Sequence, residues 1–190
     1  MELLQQRILS DGQVQPGGIL KVDGFLNHRI DTQLLYDMAM EFKRLYEGEE
    51  INKILTIEAS GIAAAAMTGY VMGCPMVFAK KSKSRNISDD VYSVEVASFT
   101  HGNTNTVIVS KEYLSENDRV LIIDDFLAHG AALTGLKALV EQAGGTVVGA
   151  GILIEKVFQG GGNALRAQGM RIESLARIAE MGDDCSIRFC

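Results

Sequence analysis

Residues 119–155 constrain the fold more than any other stretch of the chain. "RVLII" is a buried strand, "AALTGLKALVEQAGG" a helix with a glycine stop, and "TVVGAGILIE" (146–155) a second buried strand. The same order occurs upstream, where "KILTIE" (53–58) is a short apolar strand, a helix runs from near Ser60 to near Gly73, and "PMVFA" (75–79) is a strand. Strands alternating with helices, and apolar along their whole length, point to a parallel sheet covered on both faces. The fold class expected is therefore α/β, a parallel-sheet core flanked by helices.

The remaining segments attach to that core. Asp31 is placed to cap a helix through "TQLLYDMAMEFKRLYEG", in which Leu34, Leu35, Met38, Phe42 and Leu45 form one apolar stripe and Gly48 supplies a stop. The first residues, "MELLQQRILSDG", carry charge within an apolar pattern and read as an amphipathic helix rather than a signal peptide. "GIAAAAMTGYVMGCPMVFA" (61–79) has no charge and approaches membrane-spanning length, but its Ala and Gly content and Pro75 favour a buried helix followed by a core strand. "KKSKSRNISDD" (80–90) lacks apolar periodicity and reads as a mobile loop ahead of a hairpin made by "VYSVEVASF" and "NTVIVS". "MRIESLARI" and "CSIRF" look like short additional strands, and "GGG" at 160–162 like a turn. No linker or repeat divides the chain, which is expected to be a single domain over residues 1–190.

Composition narrows the partners. A formal charge of −6 argues against a general nucleic-acid or membrane-surface binder, so an anionic ligand needs a local positive site. Cys74, Cys185 and Cys190 are scattered without a CxxC, which indicates neither a disulfide framework nor zinc and suits a reducing cytoplasm.

The chemistry concentrates where "VLII" runs into Asp124, Asp125 and the loop "FLAHGAA". Ligands of open α/β sheets settle at the carboxyl ends of strands. A helix starting near Ala131 adds its N-terminal amides and dipole, a ready site for a phosphate, and Gly130 allows the tight backbone approach. The two carboxylates would repel a phosphate beside them, so they either accept hydrogen bonds from sugar hydroxyls or help hold a Mg²⁺ that neutralises the ligand. Together these features suggest a ribose 5-phosphate cradle. Neither GxxxxGK[ST] nor GxGxxG occurs in this stretch.

"VLIIDDFLAHGAA" resembles the diphosphoribosyl-binding motif of type I phosphoribosyltransferases. "LKVDGFLNHRID", "IEASGIA", "FAKKSKS" and "GILIEKVFQ" extend the resemblance across nearly the full chain, to the bacterial members that act on xanthine. The resemblance implies a cytoplasmic homodimer in purine salvage that joins xanthine to 5-phosphoribosyl 1-diphosphate, with Mg²⁺ accompanying the diphosphate. It also implies a small hood over the base, built partly from residues 1–30 and from the C-terminal segment.

Roles follow by position in the motifs. Ala128, His129, Gly130, Ala131 and Ala132 would wrap the 5′-phosphate, with Asp124 and Asp125 facing the ribose as the catalytic carboxylates. Many relatives carry Thr and a further hydroxyl residue where this chain has His129 and Ala132, so binding should rely more on backbone amides, with Thr134 a substitute donor. Ser60 and Gly61 would meet pyrophosphate, Ser60 having the alternative of a plain helix cap, and Lys81 resembles the lysine that reaches the same group. Lys80 and Lys83 could be ordinary solvated charges. Lys156 would donate to the purine 6-oxo group, Asn27 would read the 2-oxo edge, Leu20 would pack on the ring and Phe126 would lie near the base plane. His129 reads as a ligand neighbour or surface group rather than a base, and His28 and His101 have weaker claims still, His101 on an exposed turn.

Breaking the bond between C1′ and pyrophosphate builds positive character on the ribose, so electrostatics and placement should supply most of the catalysis. Hypoxanthine-guanine relatives have Asp where this chain has Ala128, which removes an obvious general base and suits xanthine, the more acidic oxopurine. Two other readings stay open: a guanine or hypoxanthine transferase, and a non-catalytic regulator that senses phosphoribosyl diphosphate, which would be expected to carry an added DNA-binding module or a basic face.

Overall fold

A computed structural model describes residues 1–81, 90–97, 104–182 and 184–190. The chain opens with helix α1 (Glu2–Asp11), a small antiparallel hairpin of β1 (Gln13–Gln15) and β2 (Ile19–Lys21), one π-helical turn at Asp23–Asn27, and helix α2 (Thr32–Leu45). The core follows as β3 (Lys53–Ile57), α3 (Gly61–Met72), β4 (Met76–Ala79), a hairpin of β5 (Val91–Ala97) and β6 (Thr104–Ser110), β7 (Arg119–Leu127), α4 (Ala131–Gln142) and β8 (Thr146–Lys156). A 3₁₀ turn, a short helix α5 (Gly161–Ala167), β9 (Ile172–Met181) and β10 (Ile187–Phe189) complete it.

The main sheet has the order β10-β9-β8-β7-β3-β4, parallel except for the antiparallel β10 at one edge. Alternate side chains of the central strands feed two cores. Leu121 and Ile123 of β7 join α1, α2 and α3 on one face, while Val120 and Ile122 join α4 and the β5–β6 hairpin on the other. The α/β parallel-sheet expectation is met. Asp31 caps α2, accepting from the Leu34 amide at 3.1 Å, and the stripe of Leu34, Leu35, Met38 and Phe42 is buried. The helix ends at Leu45, three residues before the glycine expected to stop it.

Four segments differ from the sequence expectation. β7 does not end at Ile123: its pairing with β8 continues through Asp124, Phe126 and Leu127, because β8 is long enough to keep offering partners. "PMVFA" is the edge of the sheet rather than a core strand, and α3 is half covered, with Tyr70 80% exposed; small residues pack its inner face. "MRIESLARI" belongs to a ten-residue strand hydrogen-bonded along β8. "GGG" is no simple turn, since Gly160 caps α5 and Gly161 begins it. Most of the polar stretch 80–90, including Lys83, and the turn carrying His101 lie outside the described residues. No helix among the described residues is long and apolar enough to cross a membrane.

Candidate active site

β3, β7 and β8 are parallel neighbours, so the segments that leave their carboxyl ends meet along one edge. β3 turns through Glu58–Ser60 into α3, β7 turns through Ala128–Gly130 into α4, and β8 ends on Lys156. The Glu58–Ala59 peptide is cis.

The first of these turns, the β5–β6 hairpin and the late residues of β7 enclose a cavity of about 220 Å³ whose wall includes Ser60, Gly61, Lys81, Asp124, Asp125 and Ala132. Ser60 lines that space and makes no side-chain cap to α3, so the first turn of the helix begins at the cavity wall without a side-chain acceptor from Ser60. Gly61 is required there: a β-carbon would collide with Thr56 Oγ1 and come within 3.1 Å of Asp124 Oδ1. Glu58 accepts the Lys81 amide at 2.7 Å and so fixes where that lysine leaves the sheet. Asp124 is 5% exposed, and its carboxyl is pushed well above the ordinary range by burial and by the adjacent Asp125 charge, with Lys81 pulling against both. Asp125 is raised too, by burial, with hydrogen bonds from Asp124 and Asn27 opposing.

A second cavity, about 150 Å³, is lined by Phe126 and by Ala128 through Leu133, and it shares Ala97 and Ala132 with the first. Gly130 sits at φ +86° directly before α4, which has no side-chain cap, leaving its leading amides for an anion. Thr134, considered as a substitute donor, gives its hydroxyl to the Gly130 carbonyl at 2.9 Å. His129 is exposed and lines the second cavity.

Beyond the loop, Lys156 is half-buried, with Nζ 5.4 Å from the centre of the Phe126 ring and donating to the Gly18 carbonyl at 2.8 Å. Burial lowers its pKa, and among the described residues no carboxylate pairs with it. Lys156 and Phe126, expected separately at the base, are neighbours, and Asn27 hydrogen-bonds Asp125. Leu20 is 6% exposed and packs in the core with Leu4, Ile8 and Phe25 rather than on either cavity wall. Lys80 is committed to the hairpin by backbone bonds to Ile108 at 2.9 Å, and His28 is exposed at the end of the π turn.

Asn105 of β6 lines the first cavity and was not singled out from the sequence. The alternation of "NTVIVS" signalled a strand, but nothing local said which face would meet the ligand. For a metal, Asp124 and Asp125 offer hard oxygen donors, and no group of three or more His, Cys, Asp or Glu ligands occurs among the described residues. That donor set fits a cation that draws its other ligands from a bound anion and sugar.

Two acids late in β7, two cavities that share Ala97 and Ala132 in their linings, and two helix N-termini at one sheet edge suit an anionic, phosphorylated ligand. The chain belongs to the phosphoribosyltransferase family: residues 28–161 match the phosphoribosyl transferase domain. It is 56% identical to the xanthine phosphoribosyltransferase of Finegoldia magna over 98% of both chains. It is 48% identical to that of Pediococcus pentosaceus over 100% of each. Its backbone superposes on an adenine phosphoribosyltransferase from Giardia lamblia with a TM-score of 0.77 at 20% identity, covering 92% of this chain and 97% of that one, a likeness of fold.

Proposed function

We propose that this protein transfers the 5-phosphoribosyl group of 5-phosphoribosyl 1-diphosphate to xanthine, releasing diphosphate and forming xanthosine 5′-monophosphate. The observation that carries the base assignment is Lys156: a half-buried ammonium above Phe126, next to the sugar cavity, with no acid beside it among the described residues. Such a group donates to a 6-oxo oxygen and cannot accept from an amino group, which favours oxopurines over adenine. Xanthine is favoured among them by the near full-length identity to enzymes of that name.

In this reading the 5′-phosphate sits on the amides of Gly130–Ala132, the diphosphate on Ser60, Gly61 and Lys81, and the ribose hydroxyls on Asp124 and Asp125. Mg²⁺, when bound with the diphosphate, neutralises the departing anion, and the two aspartates are the residues that would hold it. The chain's own part is to align the purine nitrogen with C1′ and to keep negative charge near the sugar as positive character grows there. Ala128 offers no proton acceptor, so the purine reacts as its anion, stabilised by Lys156.

The hairpin β1–β2 and the π turn form a hood over the base, tied down by the Lys156–Gly18 bond. Tyr36, Met40, Tyr70 and Phe78 leave large apolar groups exposed on the α2, α3 and β4 side, and we assign that face to a homodimer. Three free thiols suit a reducing cytoplasm.

The test is nucleotide formation by purified protein with Mg²⁺ and phosphoribosyl diphosphate, offering xanthine, guanine, hypoxanthine and adenine separately. A kcat/KM dominated by xanthine is expected. Preference for another oxopurine would overturn the specificity and keep the mechanism, and binding without turnover would favour a sensor of the diphosphate. A pH–rate profile lacking the break for ionisation of xanthine would sink the anion step.

A further inference from the structure

Glu155 precedes Lys156 on β8, so its side chain leaves the sheet on the opposite face from the lysine. There it is 1% exposed and held by three residues. Arg166 of α5 grips both oxygens, Nη1 to Oε1 at 2.6 Å and Nη2 to Oε2 at 2.8 Å. Ser174 of β9 donates to Oε2 at 2.6 Å, and Arg177 Nε stands 3.4 Å from the same oxygen, attracted but not aligned for a hydrogen bond. A bidentate guanidinium in a buried setting fixes orientation as well as charge.

The helix that carries Arg166 is pressed between this carboxylate and the loop that follows β7. On one side a β-carbon at Gly162 would collide with Glu155 Oε1. On the other, a β-carbon at Gly161 would collide with the His129 main chain, and the Gly161 amide donates to the Ala128 carbonyl at 3.1 Å. Leu165 completes the contact, since a β-carbon at Gly130 would lie 3.0 Å from its Cδ1. Both glycines of α5 therefore serve close approach, and any shift of the helix moves the loop backbone.

We propose that Glu155 is a positioning residue for the phosphoribosyl site. Through Arg166 and α5 it fixes the loop Ala128–Gly130, and through its place on β8 it ties that loop to the base lysine at Lys156. A loop that binds an anion by main-chain amides has no side chain to adapt, so its affinity depends on the support behind it. This inference rests on reading the loop as the 5′-phosphate site.

The experiment compares ribose 5-phosphate and inorganic diphosphate as separate probes, by calorimetric titration of the full chain. Glu155→Gln, which keeps shape and removes charge, is expected to weaken ribose 5-phosphate about tenfold while leaving diphosphate unchanged, because diphosphate is assigned to the turn at Ser60–Gly61. Arg166→Lys should give the same split. Ser174→Ala, a milder loss that keeps the test open if the Gln variant fails to fold, should weaken ribose 5-phosphate about threefold. Wild-type affinity for ribose 5-phosphate in these folded variants, or parallel loss of both probes, would overturn the inference. Wild-type protein that bound diphosphate but not ribose 5-phosphate would instead overturn the loop assignment beneath it.

Discussion

Asp124, late in β7, and Glu155, next to last in β8, are both buried acids, 5% and 1% exposed, on adjacent strands, yet their surroundings are opposite. Around Glu155 burial works to raise the pKa, but Arg166, Ser174 and Arg177 outweigh it and hold the carboxyl below its ordinary value. Around Asp124 burial is reinforced by the Asp125 charge, and the carboxyl stands well above it. The first arrangement is finished without a ligand. The second has the Asp125 amide at 3.0 Å and the Lys81 charge but no guanidinium paired to it among the described residues, and it faces a cavity, the mark of a group kept for something that binds.

Removing each acid should separate scaffold from site, and the largest effect is on stability. Glu155→Ala leaves the half-buried Arg166 guanidinium and the Ser174 hydroxyl without their buried acceptor and is expected to cost about 3 kcal/mol, roughly 6–12 °C of melting temperature by calorimetry. Asp124→Asn should cost nothing of that kind. Comparable losses in both would end the distinction.

Activity should reverse the order. Asp124→Asn or Asp125→Asn is expected to lower kcat/KM for phosphoribosyl diphosphate by about 10–100-fold, the range for a lost hydrogen bond to a charged acceptor. A smaller drop, about tenfold in kcat/KM for xanthine with an almost unchanged KM for phosphoribosyl diphosphate, is expected of Lys156→Ala by steady-state kinetics. Loss of both substrates together would move Lys156 from the base to the scaffold.

The same contrast explains what the sequence disclosed. Apolar strands, the Asp31 cap and the run from Asp124 to Ala132 are local patterns, and each is legible because neighbours in sequence are neighbours in space. Glu155 was read as the tail of a strand and Gly160–Gly162 as a turn, because their meaning is set by Arg166, Ser174 and the loop before α4, partners contributed by other elements. Leu20 marks the same limit. It lies in a motif that resembles a base-binding segment, but a two-residue alternation cannot say which face of a three-residue strand meets the core. Asn105 shows the mirror-image case, a polar side chain on a hairpin whose inner face is fixed by packing on α4 and by the Lys80–Ile108 bridge to β4's end, both distant in sequence.

The smallest predicted effect is the most discriminating. Asp124 has a folded pKa above the roughly 3.9 of an unfolded aspartate. Above that pH the unfolded chain has released the proton while the folded one retains it, so this group's contribution to stability is full at low pH and is lost as pH rises through the folded value. Asn cannot titrate, so Asp124→Asn should match wild type near pH 4 and gain on it in melting temperature toward neutrality. Glu155 does not confuse the measurement. Its pKa is depressed, so its contribution is complete above about 4.3, the unfolded glutamate value, and is lost only as pH falls through the folded value. Melting curves from pH 5 to 8 therefore read the Asp124–Asp125 pair without Glu155. Adding Mg²⁺ with phosphoribosyl diphosphate should invert the ranking, because a ligand that needs the ionised pair stabilises wild type and not the variant. A gap independent of pH, or one that the ligand leaves standing, would mean that the exposed acceptor capacity at β7 is scaffold after all.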